Sequence, residues 1–212
     1  MAIHYETEAY CGTELVSFIG QVAYQQLTGI LSPGTLNNYT NGTLIPAAER
    51  IIDDYVGRRE GTLRHFNPHG SVSWFLDGSG KSTVWTPPKY SPTLYVGDVW
   101  INGNSMSWVS PTNVKLYEQY LTVPGATFRK GDLNVKIYGT YGYIKVPKDI
   151  EYMTAQLCAN VLTDVVRRRA ADGVVSADFM TMATSLFGSP TVFTDDMRKR
   201  LSDYRIKWLD IG

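Results

Sequence analysis

Asn134-Val-Lys-Ile-Tyr-Gly139-Thr-Tyr-Gly142-Tyr-Ile-Lys-Val146-Pro147-Lys-Asp-Ile150 is the stretch that decides how this chain is built. Val135 and Ile137 flank Lys136, an alternation that predicts a short strand. Pro147 then predicts a helix start, because its missing N–H falls among those without an intrahelical partner. Ile150, Met153, Leu157, Val161 and Val165 follow at three- and four-residue spacing, with Cys158 and Leu162 beside them. Arg167, Arg168 and Arg169 fall at the negative end of the helix dipole, and Gly173 is placed to end the helix. The stretch carries no catalytic pattern. It reads as a strand handing over to a docking helix, which points to an assembly part.

Working outward, Leu15, Phe18, Ile19, Val22, Ala23 and Leu27 predict a helical stripe over Thr13 to Thr28. A polar segment from Gly29 to Thr43 is expected to be a loop. A second helix is expected from Pro46 to Val56, with Ala48, Ile51, Ile52 and Tyr55 on one side and Gly57 as the stop. The period then changes to strands. Val72 to Leu76 runs into Asp77-Gly78, and Thr93 to Ile101 runs into Asn102-Gly103; both dipeptides are hairpin signals. Thr83 to Trp85, Val114 to Val123 and Leu133 to Tyr138 are further strand candidates. After Gly173, Ser176 is expected to cap a helix carrying Phe179, Met182, Ala183 and Leu186. Thr194 is expected to cap another, with Asp195 and Asp196 in its first turn and Met197 and Leu201 inside. The fold class predicted is α+β: a helical bundle scaffold from residues 1–70 and 144–212, with an antiparallel β module inserted over 71–143.

Bulk composition narrows the function. The chain has 212 residues, enough to bury a sizeable core, with 43% hydrophobic and 19% charged residues. Twenty Lys and Arg balance twenty Asp and Glu. Neutrality argues against tight nucleic-acid binding, which needs uncompensated cations, but suits a surface that lets DNA pass. Fourteen Tyr and five Trp fit either a β-rich core or protein–protein surfaces, where rigid amphipathic rings lose little entropy on ordering. Cys11 and Cys158 do not make a disulfide framework, and Cys158 falls on an apolar helix face. No run is apolar enough to span a bilayer and the first residues lack a signal-peptide pattern, so a cytosolic origin is expected. The sequons at Asn38 and Asn41 then read as turn-formers.

Several patterns resemble chemistry without meeting its requirements. Gly78-Ser-Gly-Lys81-Ser82 suggests a phosphate-binding loop, but Phe75 stands where the first glycine is needed and Pro87-Pro88 forbid a following helix. A β-turn is expected. His65 and His69 could share a helix face for a metal, but Pro68 breaks that helix. Asp53-Asp54 and Asp195-Asp196 are carboxylate pairs beside arginines or at a helix start, so structural roles are expected. Arg198-Lys199-Arg200, balanced by Asp195, Asp196 and Asp203, reads as a solvated face. No nucleophile motif is present, and no catalytic residue, metal or cofactor is expected.

In order along the chain, four pieces carry a resemblance: Pro46-Ala-Ala-Glu-Arg-Ile-Ile-Asp-Asp-Tyr-Val-Gly-Arg58-Arg59; Asp77-Gly78 with Val84-Trp-Thr-Pro-Pro88 and Val99-Trp-Ile-Asn-Gly103; Asn134 to Tyr138 through Gly142-Tyr and Val146-Pro-Lys-Asp-Ile150 with its helix; and Leu201-Ser-Asp-Tyr-Arg205. Together they resemble the head–tail connector (adaptor, head-completion) proteins of long-tailed double-stranded DNA phages. The Trp-rich middle and the segment after Tyr204 depart from that pattern. The resemblance implies a non-enzymatic virion protein assembled in the host cytoplasm. It implies a dodecameric ring at the head–tail junction, docked beneath the portal protein, with a tail-side neck or tail-completion protein as the other partner. The ring continues the DNA channel without sequence-specific binding. Under that reading Ile150, Met153, Leu157, Val161 and Val165 belong to the subunit-packing helix. Tyr204, Ile206, Trp208 and Leu209 are the candidate portal contact, with packing on their own subunit as the alternative. Arg167, Arg168 and Arg169, which the helix dipole and solvation already account for, are a candidate contact with passing DNA. A rival is a carbohydrate- or ligand-binding β module, motivated by Trp74, Trp85, Trp100 and Trp108 and requiring those rings to be exposed on one face. A small hydrolase using Asp53 or Asp54 is a weaker rival for want of any motif.

Overall fold

A computed structural model describes residues 9–57, 66, 69–87, 93–101, 107–109, 113–117, 120–172, 185–187 and 189–205. The fold is α+β, with six α-helices and two small antiparallel sheets among those residues. Two compact units separate: a helical unit from Thr7–Arg64 and Val146–Arg205, and a strand unit built on His65–Lys145, to which Met1–Glu6 and Ile206–Gly212 are also assigned.

The helical unit opens with α1 (Thr13–Ile19) and α2 (Gln21–Thr28), separated at Gly20. Val16, Ala23 and Leu27 are buried here. Gly20 lies on that same inner line because a Cβ there would meet the Ala159 Cβ at 3.1 Å. The predicted stripe is therefore corrected: Phe18 is 78% exposed and Val22 71%. The segment expected as a loop is also corrected, to helix α3 (Pro33–Tyr39) and a π-helical turn (Thr40–Leu44). Ser32 caps α3 by accepting from the Thr35 N–H at 3.1 Å, with Pro33 at the first position. Burial of Leu36, Tyr39 and Leu44 outweighs the weak helix propensity of the intervening Gly and Asn. Helix α4 (Ile45–Val56) ends at Gly57, whose φ of 74° is the left-handed conformation that glycine adopts freely.

Helix α5 (Lys148–Asp172) is the longest element, 25 residues or about 37 Å. The Glu151 N–H donates to the Pro147 carbonyl at 3.0 Å, fixing the first turn. Its buried surface extends beyond one stripe to Thr154, Ala155, Cys158, Ala159 and Leu162, because α1, α2 and α4 all pack on it. The Thr154 hydroxyl is satisfied by the Ile150 carbonyl at 2.7 Å. Helix α6 (Asp195–Leu201) is capped by Thr194, which accepts from the Met197 N–H at 3.4 Å, and passes into a 3-10 turn at Ser202–Tyr204. Of the helix expected after Ser176, Leu186 is described and buried; Ser176, Phe179, Met182, Ala183 and the Gly173 stop lie outside the described residues.

In the strand unit, β1 (His69–Gly78), β7 (Gly131–Tyr141), β3 (Thr93–Ile101) and β4 (Ser107–Val109) form one sheet in the order β1-β7-β3-β4. β2 (Thr83–Trp85), β6 (Tyr120–Thr122) and β5 (Lys115–Leu116) form the other. Asp77-Gly78 is thus not the tip of a β1–β2 hairpin. Asp77 accepts instead from the Leu133 N–H at 2.7 Å, holding that residue at φ 48°. The strands on either side of Asn102-Gly103 do pair, with Trp100 opposite Trp108. Trp74, Leu76, Val99, Leu121, Phe128 and Ile137 form the core of this unit, with the Trp74 ring edge-on to Tyr141 at 5.8 Å.

Candidate functional site

An open cleft of about 390 Å³ lies in the helical unit, between the start of α5 and the end of α6. Asp149, Tyr152, Met153, Arg200, Asp203 and Tyr204 line it. The Tyr204 hydroxyl donates to Asp149 Oδ2 at 3.4 Å, and Arg200 pairs with Asp196 at 3.0 Å. The residues leading to Tyr204 are anchored beside it. The Tyr55 hydroxyl donates to the Arg198 carbonyl at 3.0 Å, Phe193 meets the Tyr55 ring edge-on at 5.4 Å, and the Arg205 guanidinium lies 5.7 Å from the Tyr55 ring centre. Such a surface can hold an incoming peptide by stacking and hydrogen bonding. Two of its charged groups already have partners: Arg200 in Asp196 and Asp149 in the Tyr204 hydroxyl.

The portal-contact residues divide at this point. Tyr204 is half-buried in the cleft wall; Ile206, Trp208 and Leu209 lie outside the described residues. Ile150, Met153, Leu157, Val161 and Val165 are all buried in the helical unit itself. That leaves the solvent side of α5, where Tyr152 is 47% exposed, as the side open to a neighbour. Arg167 and Arg168 are exposed at the end of α5, at 3.5 Å and 3.7 Å from the carboxylate of Asp164, which also accepts from the Thr191 hydroxyl at 3.4 Å. The side chain of Arg169 lies outside the described residues.

The carboxylate pair Asp53-Asp54 points two ways. Asp54 is exposed, while Asp53 is buried and accepts from the Tyr10 hydroxyl at 2.7 Å. Glu49, one turn earlier, is also buried and accepts from the Tyr10 N–H at 2.7 Å. Two acids on one face of α4 thus hold the backbone and ring of one tyrosine. Burial, reinforced by the nearby Glu49 and Glu151 carboxylates, pushes the Cys11 thiol up to about 12. Burial, with Cys11 and Glu49 nearby, raises Cys158 as well. Both thiols are kept protonated, the reverse of what a nucleophile needs.

Gly78-Ser-Gly-Lys81-Ser82 is a turn: Gly80 has φ 78°, its N–H donates to the Phe128 carbonyl at 2.7 Å, and strand β2 follows. His65 lies outside the described residues, and His69 opens β1. The tryptophans are dispersed. Trp74 is in the core, Trp85 and Trp100 are in different sheets, and the side chain of Trp108 lies outside the described residues.

Two surfaces escaped the sequence reading. One is the Phe18 and Val22 pair. The other is the outer face of the four-stranded sheet, where Phe75 is 45% and Tyr95 56% exposed, joined by Tyr138 and the partly covered Trp100. Register puts Phe75 and Trp100 on either side of Lys136, whose ammonium lies 5.1 Å from the Trp100 ring centre. A Cβ on Gly97 would stand 3.2 Å from Tyr138 Cδ1 and 3.4 Å from Tyr95 Cε1, so both rings crowd over that glycine. The signal was Trp74-Phe75-Leu76, where an apolar residue occupies the outward position that alternation normally gives to a polar one.

No family model matches the chain, and no curated protein matches it. A solved structure described as the neck of an empty GTA particle, computed with C6 symmetry, is similar with a TM-score of 0.45 and 11% sequence identity, over 100% of this chain and 99% of that one.

Proposed function

We propose that this chain is a structural virion protein that forms a ring adaptor between portal and tail at the head–tail junction of a phage-like particle. The observation that carries the reading is the ordered run of motifs from Pro46 to Arg205, which resembles the head–tail connector proteins. The ring, a dodecamer in this reading, continues the DNA channel and gives the tail-side protein a surface to dock on. Its work is mechanical, with no reacting group and no cofactor. Tyr204 at the cleft, with Ile206, Trp208 and Leu209 after it, contacts the portal by strand addition or by filling a groove. Arg167, Arg168 and Arg169 face the channel; the two that are described share one carboxylate, so they offer a weak, sequence-independent attraction to phosphate.

Supporting this reading, α5 is a 25-residue helix packed against three other helices. The test is to add the purified chain to capsids that carry a portal but no neck, and to image the portal vertex by averaging. Added density as a closed ring at that vertex is expected. A chain that ignores portal-bearing capsids overturns the reading.

A further inference from the structure

We infer that the ring closes by seating Phe18 and Val22 of one copy on the aromatic outer face of the four-stranded sheet of the next copy. This rests on the reading of the chain as a ring-forming protein. A closed ring of identical subunits needs two different, mutually complementary patches on each copy. The chain presents such a pair, one patch on each compact unit.

The first patch is a row on one side of α1 and α2. Glu14, Phe18 and Val22 follow one another at four-residue spacing, all exposed. Helical hydrogen bonding continues through Gly20, whose N–H donates to the Val16 carbonyl at 2.9 Å and whose carbonyl accepts from Tyr24 at 2.8 Å. The row therefore stays on one side despite the break in the helix. The unit's own packing uses Val16, Gly20, Ala23 and Leu27 instead, which leaves a large aromatic and a β-branched residue facing solvent.

The second patch is the sheet face of Phe75, Tyr95, Trp100 and Tyr138, which offers flat rings, the cation Lys136 and, opposite Tyr138, the acid Asp98. Aromatic pairs prefer edge-to-face or offset contacts, so a protruding Phe18 ring finds partners on a surface already made of rings. One pair of charges matches in sign, Glu14 with Lys136, while Asp98 on the same face penalises a shifted seating. Glu14 sits one turn before Phe18, and Lys136 lies among the rings that Phe18 would meet. The units differ in the same sense: the strand unit has eight Lys and Arg against six Asp and Glu, a net of +2, and the helical unit twelve against fourteen, a net of −2. Complementary charge favours the head-to-tail contact over either patch meeting its own copy.

The experiment uses two full-length variants, Phe18→Asp and the double change Tyr95→Asp with Tyr138→Asp, each checked for folding by circular dichroism. Mass is measured alone and on portal-bearing capsids. Each variant has lost one patch and kept the other, so each alone is expected to remain at the 23.7 kDa of a single chain. Mixed at equal ratio, they are expected to give a species of twice that mass and nothing larger, because one good patch meets its good counterpart once. Ile144→Asp, a change at a residue 76% exposed outside both patches, is expected to assemble as the unaltered chain does. A mixture that stays monomeric, either variant assembling normally, or loss of assembly in Ile144→Asp would overturn this contact while leaving the adaptor reading intact. An unaltered chain that assembles neither alone nor on capsids overturns both.

Discussion

Gly20 turns its bare Cα toward Ala159: a Cβ built at position 20 would stand 3.1 Å from the Ala159 Cβ and 3.2 Å from the Val16 carbonyl oxygen. The close approach of α1 and α2 to α5 depends on that missing side chain. Gly20→Val is expected to lower stability by about 2 kcal/mol through overpacking. Ala159→Gly in the same chain should recover part of the loss. Urea denaturation of the two single variants and the double variant measures the coupling, and additive losses would refute the contact.

Tyr10 is held at both ends by buried acids, its N–H by Glu49 and its hydroxyl by Asp53. Tyr10→Phe keeps the ring and removes only the hydroxyl donor to a carboxylate, so a loss of about 2 kcal/mol is expected. A thermal melt unchanged by this substitution would show that Asp53 does not depend on it.

Alkaline pH is expected to destabilise the helical unit. Cys11 moves from 9.0 in the unfolded chain to about 12 in the folded one, and burial moves Tyr39 from 10.0 to about 12. For both, the folded state keeps a proton that the unfolded state releases. Their contribution is complete below pH 9 and disappears as pH rises toward 12. Denaturant midpoints measured from pH 8 to 11 should fall steadily. In the same proteins a thiol reagent at pH 8 should leave both cysteines unlabelled until the chain unfolds.

Gly139, in the middle of β7, faces the backbone of β3 so closely that a Cβ there would lie 2.1 Å from the Tyr95 carbonyl oxygen. That atom belongs to the sheet backbone and cannot swing aside. Gly139→Ala should cost on the order of 3 kcal/mol and weaken β3–β7 pairing. Hydrogen exchange of the β3 and β7 amides reads it directly, and unchanged protection would contradict the packing.

Thr194 caps α6 through a single bond to the Met197 N–H. Thr194→Ala should remove about 1 kcal/mol, and Thr194→Ser should keep most of it, as judged by melting temperature.

The long helix was legible because its five stripe residues recur with the helical period and its start is marked by Pro147. The sequence did not reveal that α5 is covered on several sides, since that coverage depends on where distant helices dock. The face of α1 and α2 was misread for a specific reason. Gly20 contributes nothing to an apolar pattern, yet it packs against Ala159, so two of the visible hydrophobic residues, Phe18 and Val22, proved to point outward while Ala23 and Leu27 pack inside. Helix α3 carried its own start signal in Ser32-Pro33, but Gly34, Asn37 and Asn38 masked it as a loop until the burial of Leu36 and Tyr39 was known. Strand positions were readable and their partners were not. Asp77-Gly78 looks local, whereas β1 pairs with β7 more than fifty residues away. Of the proposed contact surface, the outward Phe75 could be seen in the run Trp74-Phe75-Leu76; Phe18 and Val22 could not.

His69 stands opposite Tyr141 in the pairing of β1 with β7, so the chain enters the four-stranded sheet and leaves it at neighbouring points, roughly one strand spacing of ~5 Å apart. Adjoining stems make this sheet a cassette. Its strands can be lengthened or their outer residues changed without moving the two points at which the chain enters and leaves the sheet. A short turn spliced between those stems should yield a smaller protein whose helices still melt in one cooperative step.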